Sequence, residues 1–318
     1  MAIDSDSMQI SSGDPVPAGT RPSPIHNMFV GPNGIRAGWR LLLFLFLFIA
    51  IANGIGFGVR HVPAIRAWHK AYDPKVMAAP TQIFDEGVGV ISLLLAALIM
   101  AAIEKRNFTD YYLPPNQAFG KKFWQGVPYG FAMLSLLLVL IAAFHGFSLG
   151  NIALSSSDAV KYGLLFAIGF ILVGLFEEFS FRGYMQSTLT SGIGFWPAAI
   201  VLSILFGAIH LQNLNEAPTG AVMAGSFGLL AAFSLRRTGN IWFPIGMHAA
   251  WDWGETFFYS TPDSGFLAQG HLFTSSFHGS TWLTGGPVGP EGSIFALVVL
   301  VIGAIGINFL FPEKSQNS

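Results

Sequence analysis

The sequence predicts an all-α, polytopic transmembrane helical bundle. Two features of its composition and one of its pattern say so. Hydrophobic residues make up 52% of the 318-residue chain and charged residues only 10%, against about 25% charged in an ordinary soluble domain. Long apolar runs recur with charges at their ends, each near the roughly 17–25 residues that cross a bilayer as helix. The formal net charge of -1 gives no footing for nucleic acid. The absence of cysteine excludes disulfides, thiolate nucleophiles and thiolate-bound metal, so any metal must be held by His, Asp or Glu.

Taken in order, residues 1–37 are polar and rich in Ser, Pro, Gly and Asp, and lack the basic-then-apolar pattern of a cleaved signal peptide. They read as a disordered cytoplasmic tail. Residues 38–159 read as N-terminal transmembrane helices: a first span from about Trp39 to Val59, a second from Gly87 to Ile103 bracketed by Asp85-Glu86 and Glu104-Lys105-Arg106, and a third from about Gly126 to Phe147. The next unit, 160–260, holds a fourth span beginning near Lys161 and interrupted by charge. A fifth follows from about Phe195 to Leu211, a sixth from about Thr219 to Leu235 and a seventh from about Ile241 to Tyr259. Residues 261–292 form an outer loop able to pack at the membrane surface. Residues 293–318 carry the eighth span, to about Phe311, and a short tail.

With the N-terminus placed inside, eleven Lys and Arg fall on inner segments and five on outer ones. That bias favours an even number of spans and two cytoplasmic termini. Residues 260–292 contain no Lys or Arg, as suits an outer loop.

The fourth span contains the anomaly. After an uninterrupted apolar run from Tyr162 come Glu177, Glu178 and, four residues on, Arg182. Two carboxylates facing lipid would cost several kcal/mol, so they must face the protein interior or a water cavity. At 100° per residue, Glu178 and Arg182 share a helix face and can pair, whereas Glu177 points about 140° away from Arg182. The expectation is that Glu178 belongs to the architecture and that Glu177 is left free for acid–base chemistry.

Two further polar sets lie downstream: His210, closing the fifth span four residues after Phe206, and His248 with Asp252 in the seventh. Suppose the fourth helix runs to about Leu189 and the fifth starts near Phe195. Glu177 and His210 are then roughly 18 and 22 Å from that turn, and His248 and Asp252 roughly 10 and 17 Å deep from the same side. One buried site among spans four, five and seven can therefore contain all six groups: Glu177, Glu178, Arg182, His210, His248 and Asp252. The remaining histidines, His26, His61, His69, His145, His271 and His278, fall in tails, loops or span ends and are assigned no function.

These motifs, Glu177-Glu178-Phe179-Ser180-Phe181-Arg182, Phe206-Gly207-Ala208-Ile209-His210 and His248-Ala249-Ala250-Trp251-Asp252, resemble those of the CPBP family. These are the CAAX-protease and bacteriocin-processing membrane proteins, also called the Abi family and including CAAX prenyl protease 2-like enzymes. The family pattern is Glu-Glu-x-x-x-Arg, Phe-x-x-x-His and His-x-x-x-Asn. The resemblance covers about Tyr162 to Tyr259, and Asp252 departs from it where the CAAX-processing branch has Asn. It implies an intramembrane endopeptidase acting on a membrane-associated protein or peptide, multi-pass in the lipid bilayer of a bacterial inner membrane.

Two mechanisms follow from the resemblance. In one, Glu177 activates water, His210 orients it and His248 with Asp252 stabilises the oxyanion. In the other, His210, His248 and Glu177 hold Zn2+. No His-Glu-x-x-His helix supplies two ligands at once, which favours the metal-free version. A secondary or proton-coupled transporter also uses buried Glu and His near the midplane. A catalytically silent immunity or scaffold protein of the same fold is a third reading. Gly220, Gly225 and Gly228 offer close helix packing.

Overall fold

A computed structural model describes residues 28–31, 34–213 and 215–313. The tail reading falls largely on residues 1–27, outside the described residues. Eleven α-helices organise the described chain: α1 Ala37–Arg60, α2 Pro63–Lys70, α3 Ala79–Glu104, α4 Lys121–Ala143, α5 Ser156–Glu178, α6 Gln186–Ile193, α7 Phe195–His210, α8 Pro218–Thr238, α9 Trp242–Trp253, α10 Thr281–Thr284 and α11 Ile294–Leu310. Wider π-helical turns carry α5 into α6 over Phe179–Met185 and extend α9 over Gly254–Phe258.

Five of these helical stretches are long and apolar enough to cross a membrane: Ala37–Arg60, Ala79–Glu104, Lys121–Ala143, Ser156–Ile193 and Pro218–Thr238. Phe195–His210 and Ile294–Leu310 are apolar but shorter. Phe46, Phe57, Ile204 and Phe309 stand well exposed on such helices. This is the apolar girdle a bilayer covers, and the chain is an integral membrane protein.

Local chemistry sets the helix limits. Ser155 caps α5, its hydroxyl accepting the Asp158 amide at 3.2 Å, and Asp158 complements the helix dipole. Pro63, Pro80 and Pro218 occupy first turns, where no amide is needed. α8 stops at Gly239, which takes φ +79° after two arginines in the last turn.

α9 is the centre of the molecule. Every residue from Trp242 to Asp252 is buried except at its very end, where Trp253 is partly covered. α4 lies closest to it, because Gly130 and Gly126 of α4 face the α9 backbone. A Cβ on Gly130 would sit 1.9 Å from the Met247 carbonyl oxygen, and one on Gly246 would sit 2.3 Å from that of Phe123. Such approach is available only to glycine. α5 and α8 flank α9, and α3 packs on α5.

Two expectations change. The second span was expected to start at Gly87 with Asp85-Glu86 outside it. α3 instead begins at Ala79, because these acids face the protein's cavity rather than lipid. The fourth span was expected to end near Leu189 before a turn. The helix runs to Ile193, and Gly194 alone, at φ +85°, separates it from α7. The loop 261–292 is tied down by short β pairs. Leu267–Ala268 runs parallel to Val76–Met77, and Ser276–Phe277 antiparallel to Phe147–Ser148.

Candidate active site

Glu178 is fully buried, and its Oε1 is the hub of the site. It accepts from Arg182 Nη1 at 3.2 Å and from His248 Nδ1 at 2.9 Å. The Arg182 pair is the i,i+4 contact expected from helix phase, and it forms even though Arg182 sits in the π-helical stretch. The His248 bond joins α5 to α9 across 70 residues of sequence.

Arg182 is held on its other sides by α7 and α8. Its Nε donates to the Gly228 carbonyl at 3.3 Å, and its guanidinium lies 4.4 Å from the centre of the Phe206 ring. Gly228 makes this possible: a Cβ there would fall 2.3 Å from Arg182 Nη2. The phenylalanine of the second motif thus serves as a platform for the arginine of the first.

Donation of Nδ1–H to Glu178 turns His248 Nε2 toward two other carboxylates, Asp252 Oδ2 at 3.5 Å and Glu177 Oε2 at 3.6 Å. Both separations exceed a good hydrogen bond, which leaves the nitrogen available to a third group. His210 is fixed in the complementary sense. Its Nδ1 lies 2.7 Å from the Phe206 carbonyl oxygen, which can only accept, so Nδ1 carries the proton and Nε2 presents a lone pair.

Glu177, His210, His248 and Asp252 all line one cavity of about 460 Å³. The two glutamates differ sharply in access. The Glu177 side chain is 25% exposed and that of Glu178 0%. Phe170, Phe206, Phe227 and Trp251 supply apolar walls.

The cavity also takes groups that sequence reasoning passed over. Gln82, Asp85 and Glu86 reach it from α3, and His69, paired with Asp85 at 3.1 Å, stands at the same opening. The loop 261–292 contributes Asp263, Ser264 and Phe266, with Glu291 following. Asp263 is buried, and burial together with the Glu291 charge pushes its carboxyl up to about 7. The one available signal was charge balance. Between Arg237 and Lys314 the chain has no Lys or Arg at all, so its buried acids lack a local counter-charge.

The zinc set does not converge. Among the described residues, the His, Asp and Glu side chains whose ligand atoms gather within 4.8 Å of one another are Glu255, Asp263 and Glu291. His210, His248 and Glu177 form no such group, and His248 Nδ1 is already committed to Glu178.

Residues 159–254 match the family described as type II CAAX prenyl endopeptidase Rce1-like. This segment is similar to the CAAX-protease family. It spans α5 to α9 and contains all six predicted site residues, so the CAAX-protease-like segment and the buried polar site coincide. No curated protein matches the chain.

Proposed function

We propose that the protein is an intramembrane endopeptidase that hydrolyses a peptide bond of a membrane-associated protein or peptide with a glutamate-activated water. The carrying observation is the division between the paired glutamates. Glu178 is sealed against Arg182 and His248, while Glu177 opens onto the cavity 3.6 Å from His248 Nε2.

The groups divide the reaction as follows. Water in the cavity gives one proton to Glu177 as its oxygen bonds to the carbonyl carbon. The lone pair of His210 Nε2 accepts the second water hydrogen and fixes the water's orientation. Negative charge on the former carbonyl oxygen is met by the protonated Nε2 of His248, whose Nδ1–H is held from behind by Glu178 and whose positive charge Asp252 supports from the Nε2 side. Collapse breaks the C–N bond, and the proton on Glu177 passes to the leaving nitrogen. Asp252 serves here as an acceptor, so its replacement of the family's Asn costs no oxyanion donor. The commitment of His248 Nδ1 to Glu178, and the approach of two carboxylates to its Nε2, favour this route over one through zinc, and no step is assigned to a metal.

The apolar cavity walls and the lipid-facing surface favour a substrate presented from the bilayer. The family match supports a prenylated peptide as one such substrate, and the multi-pass placement in a bacterial inner membrane with both termini cytoplasmic remains part of this reading. The test is cleavage of a membrane-inserted peptide by the purified protein in liposomes. Wild type should cleave and Glu177→Ala should not. Solute uptake without cleavage by wild type would instead establish a transporter.

A further inference from the structure

Beyond the peptidase site, the loop end of α9 carries three carboxylates that the proposed reaction does not use as a group. Glu255 lies in the π-helical turn after α9, Asp263 in the loop and Glu291 just before α11. Each offers an oxygen within 4.8 Å of the other two. Oxygens this close can share one hard divalent cation, and calcium, with its flexible coordination at ~2.3–2.6 Å, tolerates an irregular set where magnesium demands a near-ideal octahedron.

Proximity of acids alone would not indicate a ligand, but the hydrogen bonding around Glu255 does. Glu255 is fully buried, and among the described residues its Oε1 has no hydrogen-bond partner. That oxygen lies beside the backbone between Pro262 and Gly289, which are the chain neighbours of Asp263 and near neighbours of Glu291. A Cβ on Gly289 would meet the Pro262 carbonyl oxygen at 2.1 Å and Glu255 Oε1 at 3.1 Å. The Pro262 carbonyl and Glu255 Oε1 thus both pack against Gly289.

Among the described residues, the side-chain donors to the trio are neutral. Trp251 Nε1 bonds both Glu255 Oε2 at 2.9 Å and Glu291 Oε1 at 3.0 Å. Thr256 donates to Asp263 at 2.8 Å, and Ser264 to Glu291 at 2.9 Å. A buried carboxylate oxygen with no donor is costly unless a proton or a cation meets it.

We propose that Glu255, Asp263 and Glu291 bind a hard divalent cation of the calcium class, which clamps the loop 261–292 to the end of α9. Asp263, Ser264 and Glu291 also line the catalytic cavity, so the clamp fixes one wall of the site. The proposal does not depend on the peptidase reading, since binding is measured without substrate.

Two measurements on the full-length protein in detergent, freed of metal, test it. Calcium alone should raise Tm by ~5 °C or more at saturation. Terbium alone should give saturable luminescence on tryptophan excitation, because Trp251 touches two of the ligands, and calcium should displace it. Glu255→Gln and Asp263→Asn should each abolish the calcium shift while keeping a Tm in chelator at or above that of wild type. Glu177→Ala, outside the trio, should retain both signals. A wild-type protein with no calcium-dependent Tm rise and no displaceable terbium signal would overturn the proposal. So would a folded Glu255→Gln variant that binds as wild type does. Should one carboxylate variant fail to fold, the other and the wild-type titrations decide.

Discussion

Arg182→Met removes the guanidinium while keeping much of the side-chain volume. The structure then leaves Glu178 fully buried with His248 as its one remaining partner, and leaves the Gly228 carbonyl without its donor. Breaking a buried ion pair from one side costs about 3–5 kcal/mol, because the surviving charge is stranded. An exposed pair would cost at most ~1 kcal/mol. The companion change Glu178→Gln removes the stranded charge, so the double variant should recover much of the loss. Stability is read by equilibrium unfolding in mixed micelles for wild type, both single variants and the double variant. A coupling energy of about 2 kcal/mol or more is expected for groups in one network. Additive effects, or a loss below about 1 kcal/mol for Arg182→Met, would show that Glu178 and Arg182 do not form a structural unit.

Gly228→Ala should disturb the same unit from the other side, since the added methyl carbon would lie 2.3 Å from Arg182 Nη2. Lower Tm together with reduced peptide cleavage is the outcome to look for. Gly130→Ala sets a methyl carbon 1.9 Å from a backbone oxygen of α9. Folded protein recovered from membranes should fall steeply, whereas Gly54→Ala in α1, where nothing lies within 4 Å, should be neutral or stabilising by up to about 1 kcal/mol. Trp251→Phe removes the indole N–H shared by Glu255 and Glu291. A loss of about 1–3 kcal/mol in unfolding free energy is expected for acceptors left unsatisfied, and an unchanged midpoint would contradict that assignment.

Much of the site was legible because helices translate spacing into direction. The four-residue steps from Glu178 to Arg182 and from His248 to Asp252 each place two groups on one face, and both pairs meet. The separation of Glu177 from Glu178 was legible for the same reason. The second partner of Glu178 was not. His248 arrives on another helix, and no local period encodes the glycine contacts that set α9 against its neighbours. The π-helical stretches after Glu178 and Trp253 also escaped a reading that assumes 3.6 residues per turn. The loop 261–292 reads as an outer loop because it contains no Lys or Arg. Its inward acids are placed by two-residue strand pairs with distant loops, which sequence spacing does not reveal. In the sequence, Asp85 and Glu86 mark the end of a span, because charges usually do. Here a cavity within the bundle lets the helix continue past them.

The glutamate pair gives the most direct test. Single-turnover cleavage of a membrane-inserted peptide should be compared between wild type and Glu177→Gln in liposomes, with Tm measured on the same preparations. Loss of a general base predicts a fall of about 10²–10⁴-fold in rate with Tm unchanged, since Glu177 opens to the cavity and Glu178 holds the buried network. Cleavage by Glu177→Gln within tenfold of wild type would contradict the assignment of Glu177 as the residue that activates water.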